Sequence, residues 1–186
     1  MNREILQDVL SGKTLYGLIN DKLWLNYINF KKMVIEKIEP KCASSCLVSE
    51  ANWLIRNQKI SCEQLGVQIR VGDICYIDFG QAYINESGYQ HFALVFSIFQ
   101  NKAFVIPMTS NSKQYASAYD PYLQKNGKLN LMKIGLISGM KRSSVLFLND
   151  CKYINTARII DVKANIDPSS KLFQEIKERV QNIIFN

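Results

Sequence analysis

The sequence predicts an α+β fold, in which a small antiparallel β-barrel with a C-terminal helix, residues 66–186, follows a helical N-terminal extension, residues 1–65. Three observations predict this arrangement. Apolar residues recur at helical spacing before Gly66, β-branched and aromatic runs bounded by turn residues follow it, and the final segment returns to helical spacing. The length of 186 residues suits one principal domain, since domains average about 100 to 200 residues.

The N-terminal extension has the pattern of several helices. Residues 2–10 and 21–38 place apolar side chains on one face, and Pro40 ends the second helix. Residues 40–46 form a polar break, after which Ser49 is a good N-cap for a short helix. The broad apolar face of the second helix must be covered, either by the main domain or by another copy of the chain.

The barrel is predicted from four apolar runs with strand-like composition. They are residues 74–79, 92–99, 103–108 and 144–148. Short turns between successive strands indicate antiparallel pairing, and closure into a barrel would remove exposed edges. Residues 110–143 read as a long loop of interleaved basic and aromatic residues, and the C-terminal helix begins with Asp167 as cap and Pro168 at its first position.

Charge and composition narrow the classes of partner. The net charge of +7 favours anionic partners, nucleic acid or acidic peptides, although a basic surface can also serve solubility alone. Five cysteines are too few for a disulfide scaffold, and an odd number cannot all pair within one chain. Cysteines that are not paired in disulfides suit a reducing compartment, which favours a cytoplasmic location. The start lacks the pattern of a secretory signal, and no apolar stretch approaches the about 20 residues of a membrane span.

A metal or cofactor site is not expected. The chain has one histidine, and Cys42 and Cys46 lack the second pair of ligands that a zinc site needs. No glycine-rich phosphate loop is present either. Any reaction is therefore expected to use acid–base groups and hydrogen-bond donors.

His91 is the residue that most invites a chemical role. Histidine is the side chain whose ordinary pKa lies nearest neutrality, and this one stands where the glycine-bearing loop at residues 85–88 enters an apolar strand. Catalytic residues are often found where a strand meets a loop. A half-buried structural histidine fits the same position, so both interpretations stay open on position alone.

Several motifs in series resemble those of the MazF/PemK toxins. They are RVGDI at residues 70–74, ESGYQHFALV at 86–95, VIPMTS at 105–110 and SVLFLNDCKYIN at 144–155. Their order and spacing are similar to those of the family, and the resemblance runs from Arg70 to Phe185. Residues 1–65 lie outside it.

The resemblance implies a homodimeric toxin of a toxin–antitoxin system. Such proteins are endoribonucleases, or mRNA interferases, that cut single-stranded RNA without a metal and are inhibited by an acidic antitoxin protein. The reaction needs a base for the ribose 2′-hydroxyl, an acid for the departing 5′-oxygen, and donors that stabilise the charge on the phosphate. A cyclic phosphate remains on the product.

Two residues carry the catalytic expectation. Thr109 matches the family's catalytic threonine, and His91 occupies the place of its catalytic arginine, followed by Phe92 where proline is usual. Histidine can shuttle protons near neutral pH, so activity can survive with His91 as acid or base. The loss of arginine can equally mark a member that binds RNA without cutting it.

Six further positions are expected to bind the substrate. Two belong to the loop that closes over the RNA, one adjoins the threonine, and three fall in or after the last motif: Glu86, Gly88, Ser110, Asn149, Lys152 and Arg158. Lys152 stands where the family usually has arginine, which keeps the charge but loses the bidentate fork.

Two other functions remain as alternatives. A non-catalytic RNA- or protein-binding module could use the same barrel. A gyrase poison of the CcdB kind shares the barrel too, but that group acts through a tryptophan near its C-terminus, where this chain has IIFN. The extension at residues 1–65 could cover the RNA groove, contact a second copy or add to the core.

Overall fold

The computed structural model describes Gln7, residues 21–120, Leu123 and residues 126–185. The chain divides into two compact units, Met1–Ser45 and Cys46–Asn186. The predicted extension, residues 1–65, therefore spans the boundary between them. The helix predicted for residues 2–10 lies outside the described residues, apart from Gln7.

The first unit contains helix α1, Asp21–Ile35, which begins where the helix predicted for residues 21–38 begins and ends three residues earlier. Asp21 lies in its first turn and Lys32 in its last, where their charges oppose the helix dipole. Phe30 is buried, whereas Trp24 and Leu25 are more than half exposed. The predicted apolar face is thus only partly covered.

Helix α2 spans Pro40–Arg56 without interruption. The predicted polar break at residues 40–46 and the predicted N-cap role of Ser49 are therefore wrong. Proline fits the first turn of a helix because N–H groups in that turn have no intrahelical acceptor, so the lack of an N–H costs no hydrogen bond. No helix breaker follows Pro40 within the helix. In the second unit Arg56 Nη1 donates to the carbonyl oxygens of Ala157, at 3.1 Å, and Ile159, at 3.0 Å.

The second unit is built on one mostly antiparallel sheet of eight strands, which confirms the predicted α+β class with a C-terminal helix. The strands are β1 Asp73–Asp78, β2 Gln90–Phe99, β3 Lys102–Thr109, β4 Ala118–Tyr119, β5 Lys128–Gly135, β6 Ser144–Phe147, β7 Lys152–Asn155 and β8 Ile159–Asn165. Their order is β4-β5-β6-β3-β2-β1-β8. Strand β7 is not part of this order and pairs with β3, along residues 102–105, whereas β6 pairs with β3 at Met108 and Thr109. Among the described strands the ladders therefore do not close into a ring.

The four predicted strands correspond to β1, β2, β3 and β6. The prediction of a long loop at residues 110–143 is wrong, because helix α3, Ser112–Ser117, and strands β4 and β5 lie within it. Asn111 caps α3 by accepting from the backbone N–H groups of Lys113 and Gln114. Two lysines of this segment, Lys128 and Lys133, lie on strand β5 near buried residues such as Leu131, and Lys113 lies in α3.

The sheet is buried on both faces. Successive residues of a strand point to opposite faces, so Ile74 and Leu94 join one cluster while Cys75 and Ala93 join another. The first cluster also receives the C-terminal helix α4, Lys171–Phe185, through its apolar stripe of Phe173, Ile176 and Val180. The second contains Cys62, Val95, Val105 and Ile159.

The start of α4 differs from the prediction by a few residues. Asp167 accepts from the backbone and hydroxyl of Ser169, and so closes a turn ahead of the helix. Ser170 is the N-cap, because its hydroxyl accepts from the backbone N–H of Phe173 at 3.2 Å. The predicted cap role of Asp167 with Pro168 as first residue is therefore wrong, although the helix itself is confirmed.

Gly72, in the RVGDI motif, has a structural reason to be glycine. Its φ is +91°, and a Cβ there would lie 2.2 Å from the carbonyl oxygen of Ile166. This close approach lets Gly72 donate to Val95 and accept from Ile166, which joins the start of β1 to β2 and to the end of β8.

Candidate functional site

His91 and Thr109 lie at the end of two adjacent strands. The β2–β3 ladder runs to the pair of Phe92 and Met108, one residue short of them. Both residues still belong to strands, since His91 pairs with β1 and Thr109 with β6. They are thus the next residues of β2 and β3 beyond the last observed pair.

The imidazole of His91 is held by one contact and is otherwise exposed. Its Nδ1 lies 2.5 Å from the carbonyl oxygen of Gly88. A carbonyl oxygen only accepts, so Nδ1 carries the proton and Nε2 has its lone pair available in the neutral ring. Within the described residues no hydrogen bond engages Nε2, which leaves it able to take up a proton.

The hydroxyl of Thr109 has a partner within its own turn. Oγ1 accepts from the backbone N–H of Asn111 at 3.2 Å, and the residue is half-buried. That contact uses a lone pair of Oγ1 and leaves the hydroxyl proton able to donate. Ser110, the next residue, is exposed.

Glu86 and Gly88 lie in the connection between β1 and β2, residues 79–89. Glu86 Oε2 accepts from the backbone N–H of Tyr83 at 3.3 Å, so this exposed carboxylate supports its own loop. At Gly88 an added Cβ would lie 2.6 Å from the Cβ of Ala82, which means that the loop folds back on itself there. Both residues shape the loop that carries the Gly88 carbonyl to His91.

The predicted cations are already engaged. Lys152 Nζ lies 2.8 Å from Asp150 Oδ1 and 5.5 Å from the centre of the Phe79 ring. Asp150 also accepts from the backbone N–H of Ser87 at 2.7 Å, so it connects the β1–β2 loop to the turn before β7. Arg158 is exposed, and its Nη1 donates to the backbone carbonyl of Asp78 at 3.2 Å.

Asn149 lies apart from this group. Its side-chain oxygen accepts from Asn130 Nδ2 at 3.2 Å, on the β5 side of β6. The structure thus joins His91 to Gly88, has Thr109 at the same end of the sheet, joins Lys152 to the adjoining loop through Asp150, and gives Asn149 a partner of its own.

A cleft of about 360 Å³ lies at the same end of the sheet. Thr109 and Ser110 line one side, and the connection between β5 and β6 lines the other with Gly139, Met140, Lys141 and Arg142. The remaining lining residues are Phe92, Met108, Ser144 and Lys163. The two adjacent cations, Lys141 and Arg142, were not expected from sequence, although a Lys-Arg pair just after a glycine is a visible signal.

Asp78 is a polar residue that sequence reasoning missed. It is 3% exposed, at the end of β1. Its carboxylate accepts from Ser49 Oγ at 2.7 Å, Asn52 Nδ2 at 2.7 Å, Gly80 N at 2.9 Å and Gln90 Nε2 at 3.4 Å. An aspartate in an apolar strand run is the signal that could have identified it. Two of the contacts, from Ser49 and Asn52, come from helix α2 and cannot be read locally.

The described residues contain neither a metal-binding group nor a membrane-spanning helix. No group of three or more His, Cys, Asp and Glu side chains in this part of the chain could hold a metal ion. None of the described helices combines the length and apolar character needed to cross a membrane.

Comparison with known proteins gives similarity in structure only. No family model and no curated protein matches the sequence. The crystal structure of MazF from Deinococcus radiodurans is similar, with 15% identity and a TM-score of 0.47, over 63% of this chain and 97% of that one. The Mycobacterium tuberculosis toxin MazF-mt6 gives 10% identity and a TM-score of 0.42, over 60% and 95%.

A third similar structure is an endoribonuclease in complex with its cognate antitoxin, from Mycobacterial species. It has 9% identity and a TM-score of 0.43, over 63% of this chain and 95% of that one. At these identities the similarity concerns the fold alone.

Proposed function

We propose that this protein is a metal-independent endoribonuclease of a toxin–antitoxin system that cuts single-stranded RNA. The observation that carries the proposal is the position of His91 and Thr109 at the end of adjacent strands β2 and β3, one residue beyond their last pair. His91 has an exposed imidazole with an available Nε2, and we expect the Thr109 hydroxyl to lie beside it, where a phosphodiester can reach both.

The reaction follows from what each group can do. His91 Nε2 removes the proton of the ribose 2′-hydroxyl, and that oxygen attacks the adjacent phosphorus. The bond from phosphorus to the 5′-oxygen breaks, and the leaving oxygen takes a proton from water. Thr109 donates a hydrogen bond to a phosphate oxygen as negative charge increases there. The products are a 2′,3′-cyclic phosphate and a 5′-hydroxyl.

The Gly88 carbonyl has a positioning role in this scheme. By accepting from Nδ1 it fixes the tautomer and the orientation of the ring, so that Nε2 is the nitrogen that can take up a proton. Lys152 supplies positive charge near the β1–β2 loop, but its ion pair with Asp150 offsets part of that charge.

Incubation of single-stranded RNA with the protein in EDTA tests the proposal. Fragments ending in a 2′,3′-cyclic phosphate are the expected result, and Thr109→Val should slow cleavage by about 10- to 1,000-fold. The matched control is Lys102→Ala, because Lys102 is exposed and lies at the opposite end of β3 from Thr109. The Lys102→Ala protein should cleave RNA at the unchanged rate. Cleavage that requires added metal, or that leaves a 5′-phosphate, would overturn the mechanism.

The partners proposed with this function are an acidic antitoxin and a second copy of the chain. The net charge of +7 supports an acidic protein partner. Light scattering on the purified protein tests the homodimer, and a monomer at micromolar concentration would contradict it.

A non-catalytic RNA- or protein-binding module is the second candidate. The engagement of Lys152 by Asp150, and of Arg158 by the Asp78 carbonyl, favours it, because both groups then serve structure rather than the phosphate. Salt-dependent RNA binding without any cleavage, with or without metal, would select this function.

A further inference from the structure

We propose that the cleft between the end of β3 and the β5–β6 connection binds one nucleotide of single-stranded RNA, next to the bond that is cut. The inference rests on the proposed function for the choice of RNA. It adds a binding site to it, with Lys141 and Arg142 holding phosphate and an apolar floor beneath the base.

The size and lining of the cleft suit a nucleotide. Its volume of about 360 Å³ lies at the lower end of the about 300–1,000 Å³ of small-ligand sites. Phe92, Met108 and Met140 form apolar lining, while Ser110 and Ser144 supply polar groups at its sides. A nucleobase needs this combination, because its faces are apolar and its edges form hydrogen bonds.

Positive charge at the cleft comes from residues that are not engaged elsewhere. Lys141 and Arg142 are exposed, and neither forms an ion pair within the described part of the chain. Lys163 is different, because it is paired with Asp161 and its charge is largely offset. The net charge available to an anion therefore belongs to Lys141 and Arg142.

The turn that presents these two cations is constrained. Gly139 has a φ of +90°, and a Cβ there would lie 2.7 Å from the carbonyl oxygen of Lys163. The carbonyl of Arg142 accepts from the Ser144 hydroxyl at 3.2 Å, which secures the entry to β6. The cations are thus held at the mouth of the cleft on a turn anchored at both ends.

The position of the cleft connects it to the proposed reaction. Thr109 belongs to both, since it lies with His91 at the end of the β2–β3 ladder and also lines the cleft with Ser110. A phosphate near Thr109 would therefore leave a neighbouring nucleotide within reach of the cleft. An acidic peptide would satisfy the two cations but would leave the apolar floor unused, which favours RNA as the occupant.

Binding of a fluorescent 2′-O-methyl RNA oligonucleotide, measured by anisotropy across a salt series, tests the inference. This probe cannot be cut, because its 2′-oxygen is blocked. Lys141→Ala with Arg142→Ala should raise Kd about tenfold or more and reduce the slope of log Kd against log salt by about 1.4, for two phosphate contacts. Arg142→Lys should fall between, since it keeps the charge and loses the fork.

The matched control is Lys59→Ala with Lys102→Ala, which removes the same charge from exposed positions outside the cleft. Its Kd should stay within about threefold of the original. Equal losses in both double variants would overturn the inference, because binding would then follow net charge. Loss of self-association in the cleft variant with unchanged RNA binding would overturn it too, by assigning the cleft to a protein contact.

The proposed function fails separately. If the unaltered protein binds the 2′-O-methyl probe through the cleft yet never cuts unmodified RNA, the nuclease proposal is lost and the cleft inference stands. If it cuts RNA and the cleft variant binds the probe as tightly as the unaltered protein, the reverse holds.

Discussion

Two polar side chains lie at the same end of the sheet and differ in how they are satisfied. Asp78 is buried, and its carboxylate accepts four hydrogen bonds from the backbone of Gly80 and from three side chains. His91, whose neighbour Gln90 pairs with Asp78, is exposed and has one hydrogen bond. The first group has used its capacity for hydrogen bonding, and the second has not.

The difference separates stability from chemistry. A buried polar group with several partners cannot be changed without leaving those partners unpaired, so its contribution is to folding. An exposed group with an available lone pair adds little to folding and can act on a substrate. We expect substitutions at the two positions to affect different measurements.

The largest effect on stability is expected from Asp78→Ala. The change leaves up to four donors without an acceptor, and an unpaired buried group costs about 1–3 kcal/mol. The free energy of unfolding in urea should fall by about 3 kcal/mol or more, and Asp78→Asn should fall in between, since it retains one acceptor. A loss below about 1 kcal/mol would contradict the structural role of Asp78.

A smaller loss is expected from Ser49→Ala in helix α2. The hydroxyl is 2.7 Å from Asp78 and the residue is 4% exposed, so its removal should cost about 1–2 kcal/mol. In a double-mutant cycle with Asp78→Ala, the two changes should not add. The control is Ser44→Ala, because Ser44 lies in the same helix and is exposed. This change should alter the free energy of unfolding by less than about 0.5 kcal/mol.

The comparison sharpens with His91→Ala, for which almost no change in stability is expected. The exposed ring loses one hydrogen bond to a carbonyl, so the free energy of unfolding should stay within about 0.5 kcal/mol of the original. A loss above about 2 kcal/mol would identify His91 as a structural histidine, the other interpretation of its position.

The cysteines extend the contrast between buried and exposed groups. Burial raises the pKa of Cys75 and of Cys151 to about 12, whereas Cys42 is exposed and its pKa is raised by its hydrogen bond to Glu39. A disulfide reagent near pH 8 reaches Cys42 in the folded protein, so it should label Cys42 first and these two only on unfolding. In Cys42→Ser the rapid fraction should decrease by one thiol, and rapid labelling of Cys75 in the folded protein would contradict its burial.

The same pKa shifts set the direction of a pH effect. Above about pH 9 the unfolded chain releases protons that Cys75 and Cys151 keep in the folded state until about pH 12. The folded state then binds more protons than the unfolded one, so the free energy of unfolding should fall as pH rises through this range.

The sheet shows what sequence patterns can and cannot predict. Strands β1, β2, β3 and β6 are predictable because each is a compact run of β-branched and aromatic residues. Strand β5 is harder, since Lys128, Asn130 and Lys133 interrupt its apolar residues and only pairing with β6 orders it. For such a segment, pairing with another strand decides whether it forms a strand at all.

The candidate site depends on the sequence for a similar reason. His91 and Thr109 come from local motifs, and the β2–β3 register, observed as far as Phe92 and Met108, is the basis for expecting them opposite each other. The partners of Asp78 and of Lys152 do not come from local motifs, because Ser49 is 29 residues from Asp78 in sequence and the pairing of Lys152 with Asp150 depends on how a turn folds. Contacts of that kind become visible only in the folded chain.

The cleavage rate of His91→Ala, measured on single-stranded RNA in EDTA beside its unfolding free energy, tests the central claim most directly. A 100- to 10,000-fold slower rate, roughly, with stability unchanged is the predicted result, because acid–base catalysis contributes about that much. Cleavage at the unaltered rate in a folded His91→Ala protein would show that the imidazole is not the reacting group.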